Sequence, residues 1–268
     1  MPKSSSSRGR RRIASIRGAA AWVDRVGLAV LYPNDDLVLP SLWEALTGRQ
    51  DVDWAVREDG GRFVDFTPDF ARVWRWKDDL PEQRLVCAGK HLGGRASLVS
   101  LKLLPALYSL TGRRGKPEDF RDEELSPVEL DVAEAVLANG PVSTADLPEL
   151  VAHERKRISA ATDRLQRRLV LTAAGRQERD RGWPAVVLDV LPRRYRQALR
   201  RRLPKPDDAR SELAATVLRS ASEVSAADLT AVIGGTRREA ASALDRLVEK
   251  GLAHAREADG YVLWISAA

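Results

Sequence analysis

In the last quarter of the chain the apolar positions change period. Ala240, Ala243, Leu244 and Leu247 fall at i, i+3, i+4 and i+7, one face of a helix. Thr236 precedes that stripe as an N-cap and Gly251 follows it as a stop. Upstream, Ser225 caps a shorter helix over residues 226–233, which Gly234-Gly235 ends. Before it, Pro206-Asp207-Asp208 opens an Ala/Leu-rich helix reaching residue 221, its acids at the positive end of the helix dipole. After the stripe, residues 252–255 and 261–265 read as two short strands around Asp259-Gly260, a hairpin turn signal. Three helices followed by a hairpin is the order of a winged helix-turn-helix.

The same pattern occurs earlier. Val142-Ser143-Thr144-Ala145-Asp146-Leu147 returns as Val224-Ser225-Ala226-Ala227-Asp228-Leu229, and Asp163-Arg164-Leu165 as Asp245-Arg246-Leu247. Both matches share one offset of 82 residues, the mark of a repeated supersecondary unit. In the earlier copy Ser126-Pro127 starts helix one, and Ser143 or Thr144 caps helix two. Ile158, Ala161 and Leu165 line helix three, over residues 153–168. Residues 169–172 and 185–190 make the wing strands, and the longer wing carries Arg176, Arg179 and Arg181.

Ahead of both copies, the apolar pattern allows a third, degenerate one. Ile16, Ala20 and Val23 suggest a helix ended by Gly27, and residues 40–46 a second with Pro40 near its first turn. Thr67-Pro68 caps a third whose Phe66, Phe70, Val73, Trp74 and Lys77 make one face. Residues 85–90 and 95–99 flank Gly93-Gly94 as a hairpin, and residues 100–110 make a linking helix. The expected fold is mainly α with short β-hairpins, a tandem of winged helix-turn-helix domains. It divides into a basic tail over 1–12, an N-terminal domain over 13–116, winged helices over 117–192 and 206–268, and a basic linker helix over 193–205.

Charge changes this picture only locally. The formal net charge is +6, and Lys3, Arg8, Arg10, Arg11, Arg12 and Arg17 supply all of it, with no acid among the first 17 residues. The body is therefore neutral overall, and only local asymmetry can point to nucleic acid. Such asymmetry lies in 193–205, which has no acid, and in helix three of the first clear copy. The single cysteine, Cys87, excludes a disulfide framework and fits a reducing compartment. No apolar run is long enough to span a bilayer, so a cytoplasmic, nucleoid-associated protein is expected.

In a helix-turn-helix the start of the third helix reaches base edges while flanking cations hold phosphates. That assigns DNA contact to Arg155, Lys156, Arg157, Ser159, Arg164 and Arg167, to Arg176 and Arg179 of the wing, and to Arg237 and Arg238 of the later copy. The plain alternative is a solvated charged face. Trp43, Trp76, Lys77 and Lys90 are expected at a pocket. Trp74 is expected in the core, and Trp76 two positions on sits on a flank or packs against the adjoining domain. His91, His153 and His254 lie far apart without cysteine partners, so no metal is expected, and no cofactor motif is present.

Trp43-Glu44-Ala45-Leu46, the run Val73-Trp74-Arg75-Trp76-Lys77-Asp78-Asp79-Leu80-Pro81, Gly89-Lys90, residues 103–108 and Leu165-Gln166-Arg167-Arg168-Leu169 resemble bacterial AlkZ-related proteins. These are relatives of the AlkZ/YcaQ-type DNA glycosylases that unhook interstrand crosslinks. The resemblance covers roughly residues 14–190 and implies tandem winged helices and a role in DNA repair. The glycosylases carry a Gln-x-Gln or Gln-x-Asp motif, which none of the glutamines here completes. Asp51, Asp53 or Asp78 could position water or stabilise a developing sugar cation, and the sequence selects none of them. Three functions follow: a protein that binds double-stranded DNA, a divergent N-glycosylase acting on alkylated or crosslinked bases, or a winged-helix adaptor between proteins.

Overall fold

The computed structural model describes residues 13–57, 63–180, 182–200, 202–258 and 260–267. Lys3, Arg8, Arg10, Arg11 and Arg12 of the basic start, Arg181 of the wing, Arg201 and the turn residue Asp259 lie outside the described residues. Element order shows one connectivity three times.

The first unit runs α1 (Ile16–Val26), β1 (Leu28–Val30), α2 (Leu42–Thr47), α3 (Pro68–Glu82), β4 (Cys87–Leu92) and β5 (Arg95–Val99). A small hairpin, β2 (Ala55–Arg57) and β3 (Phe63–Phe66), is inserted before α3. α4 (Leu104–Ser109) leads to the second unit: α5 (Pro127–Asn139), β6 (Val142–Ser143), α6 (Leu147–Leu150), α7 (Arg155–Arg167), β7 (Leu171–Gln177) and β8 (Ala185–Val190). Two short helices, α8 (Leu191–Arg194) and α9 (Arg196–Leu199), connect to the third: α10 (Pro206–Ala221), β9 (Glu223–Ser225), α11 (Ala226–Ile233), α12 (Arg237–Glu249), β10 (Ala253–Ala258) and β11 (Tyr261–Ser266). In each unit the short strand after the first helix joins the last strand of the hairpin. The sheets run β1-β5-β4, β6-β8-β7 and β9-β11-β10, all antiparallel. The same order and strand pairing recur in the N-terminal unit, where the apolar pattern is least regular.

Local chemistry sets the helix starts. Ser41 and Glu44, Ser126 and Glu129, Ser225 and Asp228, and Thr236 and Glu239 each form a reciprocal capping box. Pro40 therefore precedes α2 rather than entering its first turn. The repeated Val-Ser pairs are strand residues, since Val142-Ser143 and Val224-Ser225 both pair with the last strand of their wing; Ser225 also caps α11, but α6 starts after Asp146, so neither Ser143 nor Thr144 caps it. α6 is half the length of α11, and Pro148, which brings no N–H, sits in its first turn.

The stretch over 193–205 is not one helix. Tyr195 leaves helical geometry (φ −110°, ψ 35°) and separates α8 from α9. Two of its arginines are structural. Arg193 pairs with Asp189 at 2.7 Å and donates to the Val136 and Leu137 carbonyls. Arg194 is buried and donates to the carbonyls of Pro81, Glu82 and Ala174.

The first unit's sheet is buried on both faces, and its strands alternate accordingly. Ala29, Leu31, Ala88 and Leu98 face α1, α2 and α3 through Trp22, Val23, Trp43, Val73, Trp76 and Leu80. Leu28, Val30, Cys87 and Val99 face the other way, into a core shared with Leu104 and Leu107 of α4, Leu213 and Val217 of α10 and Leu244 of α12. The second unit has its own core around Val132, Ile158, Leu165, Leu171 and Leu188.

Glu129 shows how the second unit is tied. It accepts from the Ser126 hydroxyl at 2.6 Å and amide at 2.9 Å, and from Arg164 Nε at 2.7 Å. Burial opposes its charge, but these donors outweigh burial and hold the carboxyl below its usual range. Glu129→Ala removes the box and leaves the Ser126 amide unpaired, so urea denaturation should show a loss of about 2 kcal/mol.

Candidate functional site

α3 and α7 are the third helices of the first and second units, the ones that would read a groove in an isolated winged helix. Here they face one another across a cleft of about 690 Å³. Trp74, Lys77 and Asp78 of α3 line one side, and Arg155, Ser159, Thr162, Asp163 and Gln166 of α7 another. Tyr32, Ala88, Gly89 and Leu98 come from the first sheet and the residues after β1, and Leu147, Pro148, Pro184, Val186 and Leu188 from the second unit.

α3 reaches this position because it has two apolar faces. Val73, Trp76 and Leu80 pack into the first unit's core. Phe70 and Trp74 form a separate aromatic row with Tyr32 and Phe66: Tyr32 stacks on Phe70 at 5.0 Å, Phe70 on Trp74 at 6.0 Å, and Phe66 on Trp183 of the second wing at 5.2 Å. The two tryptophans therefore exchange their expected places. Trp76 is core, because it falls i+3 from Val73, while Trp74 lines the cleft with Lys77 Nζ 4.6 Å from its ring centroid. Trp43, expected at a pocket, is fully buried and donates its indole N–H to the Asp51 carbonyl at 3.0 Å.

The polar end holds Lys77 and Asp78. Lys77 Nζ lies 2.8 Å and 2.7 Å from the two oxygens of Asp78, which is 3% exposed. Burial raises the Asp78 carboxyl above its ordinary value despite Lys77 and the nearby Arg176. Asp51 and Asp53 are exposed outside the cleft, where their carbonyls serve Trp43 and Thr67. Tyr32 was not anticipated, because nothing in Leu31-Tyr32-Pro33 signals a site. Its hydroxyl is buried without a hydrogen-bond partner, and burial pushes its pKa up.

The cations expected on DNA divide into two sets. Arg164 is held by Glu129, and Arg176 by Asp79 and Glu178, each at 2.7 Å. Arg167 lies against Gly94 of the β4–β5 hairpin. Lys90 lines the cleft and pairs with Asp163 at 2.6 Å. Arg155, Lys156 and Arg157 are exposed at the start of α7, with Arg155 and Ser159 on the cleft itself. Arg179 is exposed on the second wing. Arg237 and Arg238 are exposed at the start of α12, away from the cleft lining. Among the described residues no group of His, Cys, Asp and Glu could hold a metal ion, and no helix is long and apolar enough to cross a membrane.

A buried seam holds the cleft together. His91 Nδ1 lies 2.8 Å from the Gln166 carbonyl, and Lys90 donates its amide to the Gln166 side chain at 3.1 Å. Thr172 donates to the Ala88 carbonyl at 2.8 Å, and Tyr195 to that of Val86 at 2.7 Å. Cys87 sits beside His91 and Thr172, its thiol pushed up to about 12 by burial. Burial lowers His91, overriding its backbone hydrogen bonds, so the ring is neutral and Nδ1 carries the proton.

A family model described as AlkZ related matches residues 13–234. Among solved structures, the chain is similar in fold to the Streptomyces sahachiroi DNA glycosylase AlkZ, at a TM-score of 0.52 and 16% identity. The match covers 93% of this chain, which spans 64% of that one. No curated protein matches the chain in sequence.

A neutral His91 makes the seam pH-sensitive. The unfolded imidazole protonates below about pH 6.5 while the folded one resists, so stability is fully present above that pH and is lost as pH falls. The urea midpoint should drop from pH 7 to pH 5, and His91→Gln should flatten that part of the profile.

Proposed function

We propose that the chain, which belongs to the AlkZ-related family, is a DNA-binding protein of DNA repair whose central cleft receives a nucleobase extruded from the duplex. The observation that carries this reading is the cleft's composition. A volume of about 690 Å³ is within the range of small-molecule sites. Its aromatic side offers Tyr32 and Trp74 to a base, and its inner polar groups are an unpartnered phenol and the Lys77–Asp78 pair. Arg155, Lys156 and Arg157, which form no ion pair with another described residue, stand beside the opening where phosphates would pass. The structural relative is a DNA glycosylase, which agrees with this chemistry.

A second reading, N-glycosylase activity, rests on Asp78. An extruded base would bring its glycosidic bond into the same cleft as a buried carboxyl that keeps its proton to a higher pH than usual. In the ionised form that carboxylate would orient water or stabilise the developing sugar cation. In the protonated form it would donate to the leaving base.

Two measurements test these readings. Duplex binding by the full chain should weaken with salt, log K falling by about 0.9 per phosphate contact. Replacing Arg155, Lys156 and Arg157 together by Ala should reduce that slope by about 2 to 3. An unchanged slope would assign binding to the basic start of the chain instead. For the second reading, alkylated or crosslinked duplex should yield abasic sites, and Asp78→Asn should reduce the yield by about 10²-fold with binding retained. Equal activity of Asp78→Asn would remove Asp78 from the chemistry.

A further inference from the structure

The Lys77–Asp78 pair differs in one respect from the other partly or fully buried ion pairs around the cleft. Arg176–Asp79 ties the second wing to α3, and Lys90–Asp163 ties β4 to α7. Lys77 and Asp78 are neighbours on a single helix, so their pair joins nothing to anything. Yet both are largely withdrawn from water, with side chains 17% and 5% exposed. Taking such a pair out of water costs more than its attraction returns unless other interactions compensate. A pair that staples no elements and lines a cleft is placed for chemistry rather than for folding.

A lysine amine withdrawn from water can form an imine with a carbonyl compound, and a carboxyl in contact with it can carry the protons that the reaction moves. The amine must shed a proton before it attacks, and Asp78, its carboxyl raised by burial, is in contact to take it. The carbonyl that the proposed DNA site would present is the aldehyde of an abasic deoxyribose.

We infer that Lys77 is a nucleophile that forms an imine with C1′ of an abasic site in DNA, giving the cleft a lyase activity on that product; this rests on the DNA-binding reading above. Lys77 passes one proton to Asp78, and its nitrogen lone pair attacks the open-chain C1′ aldehyde to give a carbinolamine. Asp78 returns the proton to the new hydroxyl, water leaves, and a protonated imine remains. Asp78, again a carboxylate, removes a proton from C2′. The C2′–H electrons form the C2′–C3′ double bond, the C3′–O bond breaks, and the 3′-phosphate departs with its strand. No oxidant or reductant is needed.

The experiment uses the full chain and a duplex with one abasic site, with borohydride added to reduce any imine to a stable amine. The expected result is a one-to-one covalent adduct, mapped by peptide mass spectrometry to Lys77. Lys77→Ala should reduce the adduct at least ~10-fold while still binding the abasic duplex in the absence of borohydride, and Lys102→Ala, at an exposed lysine outside the cleft lining, should leave it. Mapping in the unaltered chain decides the matter even if Lys77→Ala folds poorly. No adduct, or an adduct on Lys90 or on an amine near the chain start, overturns the inference. Salt-dependent binding without an adduct removes the lysine chemistry alone, whereas absence of binding removes the DNA-binding reading as well.

Discussion

His91 donates from Nδ1 to the Gln166 carbonyl, and through that contact the β4–β5 hairpin of the first unit is held against α7 of the second. The approach is close because Gly89 lies between them. A Cβ there would stand 2.7 Å from His91 Nε2 and 3.0 Å from the Gln166 side chain, and both are pinned by their own hydrogen bonds. The Thr172, Tyr195 and Arg194 bonds extend the seam to β7 and to the end of α3. These are buried polar groups that find their partners across units rather than within them. Separating the two units would leave the Gln166, Ala88 and Val86 carbonyls without those donors, so the cleft is fixed by the same bonds that fix the relative placement of its walls.

That placement changes what the third helices do. In an isolated winged helix the outward face of the third helix is free to enter a major groove. Here the outward face of α7 meets β4 through Asp163 and Gln166, and α3 packs along β7. Both helices have exchanged a groove-reading surface for the lining of a pocket. The first unit's own wing is also enclosed: its tip glycines lie against Arg167 of α7 on one side and Leu37 and the Ala231 carbonyl on the other. Arg155, Lys156 and Arg157 at the start of α7 and Arg237 and Arg238 at the start of α12 stay exposed. Around the cleft the first turn of α7 and the second wing stay exposed, and a volume of about 690 Å³ is that of a small-molecule site rather than of a duplex.

The sequence carries the units more clearly than their contacts. The repeated Val-Ser…Asp-Leu pattern and the stripe at Ala240, Ala243, Leu244 and Leu247 are legible because each unit satisfies them internally. The β1, β6 and β9 strands are not, since two or three residues have no period of their own and acquire one only by pairing with a wing. Trp74 and Trp76 show the same limit within one helix. A single-faced stripe through Phe70, Val73, Trp74 and Lys77 places Trp74 inside, but α3 is covered on two sides, and the second cover comes from a different unit. Lys77, Asp78 and Lys90 could be picked out as chemically notable residues. Tyr32 could not, because a tyrosine becomes part of a site only when its hydroxyl is buried with nothing to bond.

Charge follows a similar division. All of the formal surplus lies in the first 17 residues, and elsewhere cations and acids are equal in number. Around the cleft most of the balanced charges are consumed as fastenings: Arg164 to Glu129, Arg176 to Asp79, Lys90 to Asp163, Arg193 to Asp189. A basic residue on a third helix is therefore poor evidence of DNA contact until its partner is known. Two departures from that pattern remain. Arg155, Lys156 and Arg157 are exposed without an ion-pair partner among the described residues, which leaves them free for an external anion. Lys77 and Asp78 are paired but fasten nothing, which leaves them free for a reaction. The first departure lies at the opening of the cleft and the second inside it, so a strand held by the outer cations would present its extruded residue to the inner pair.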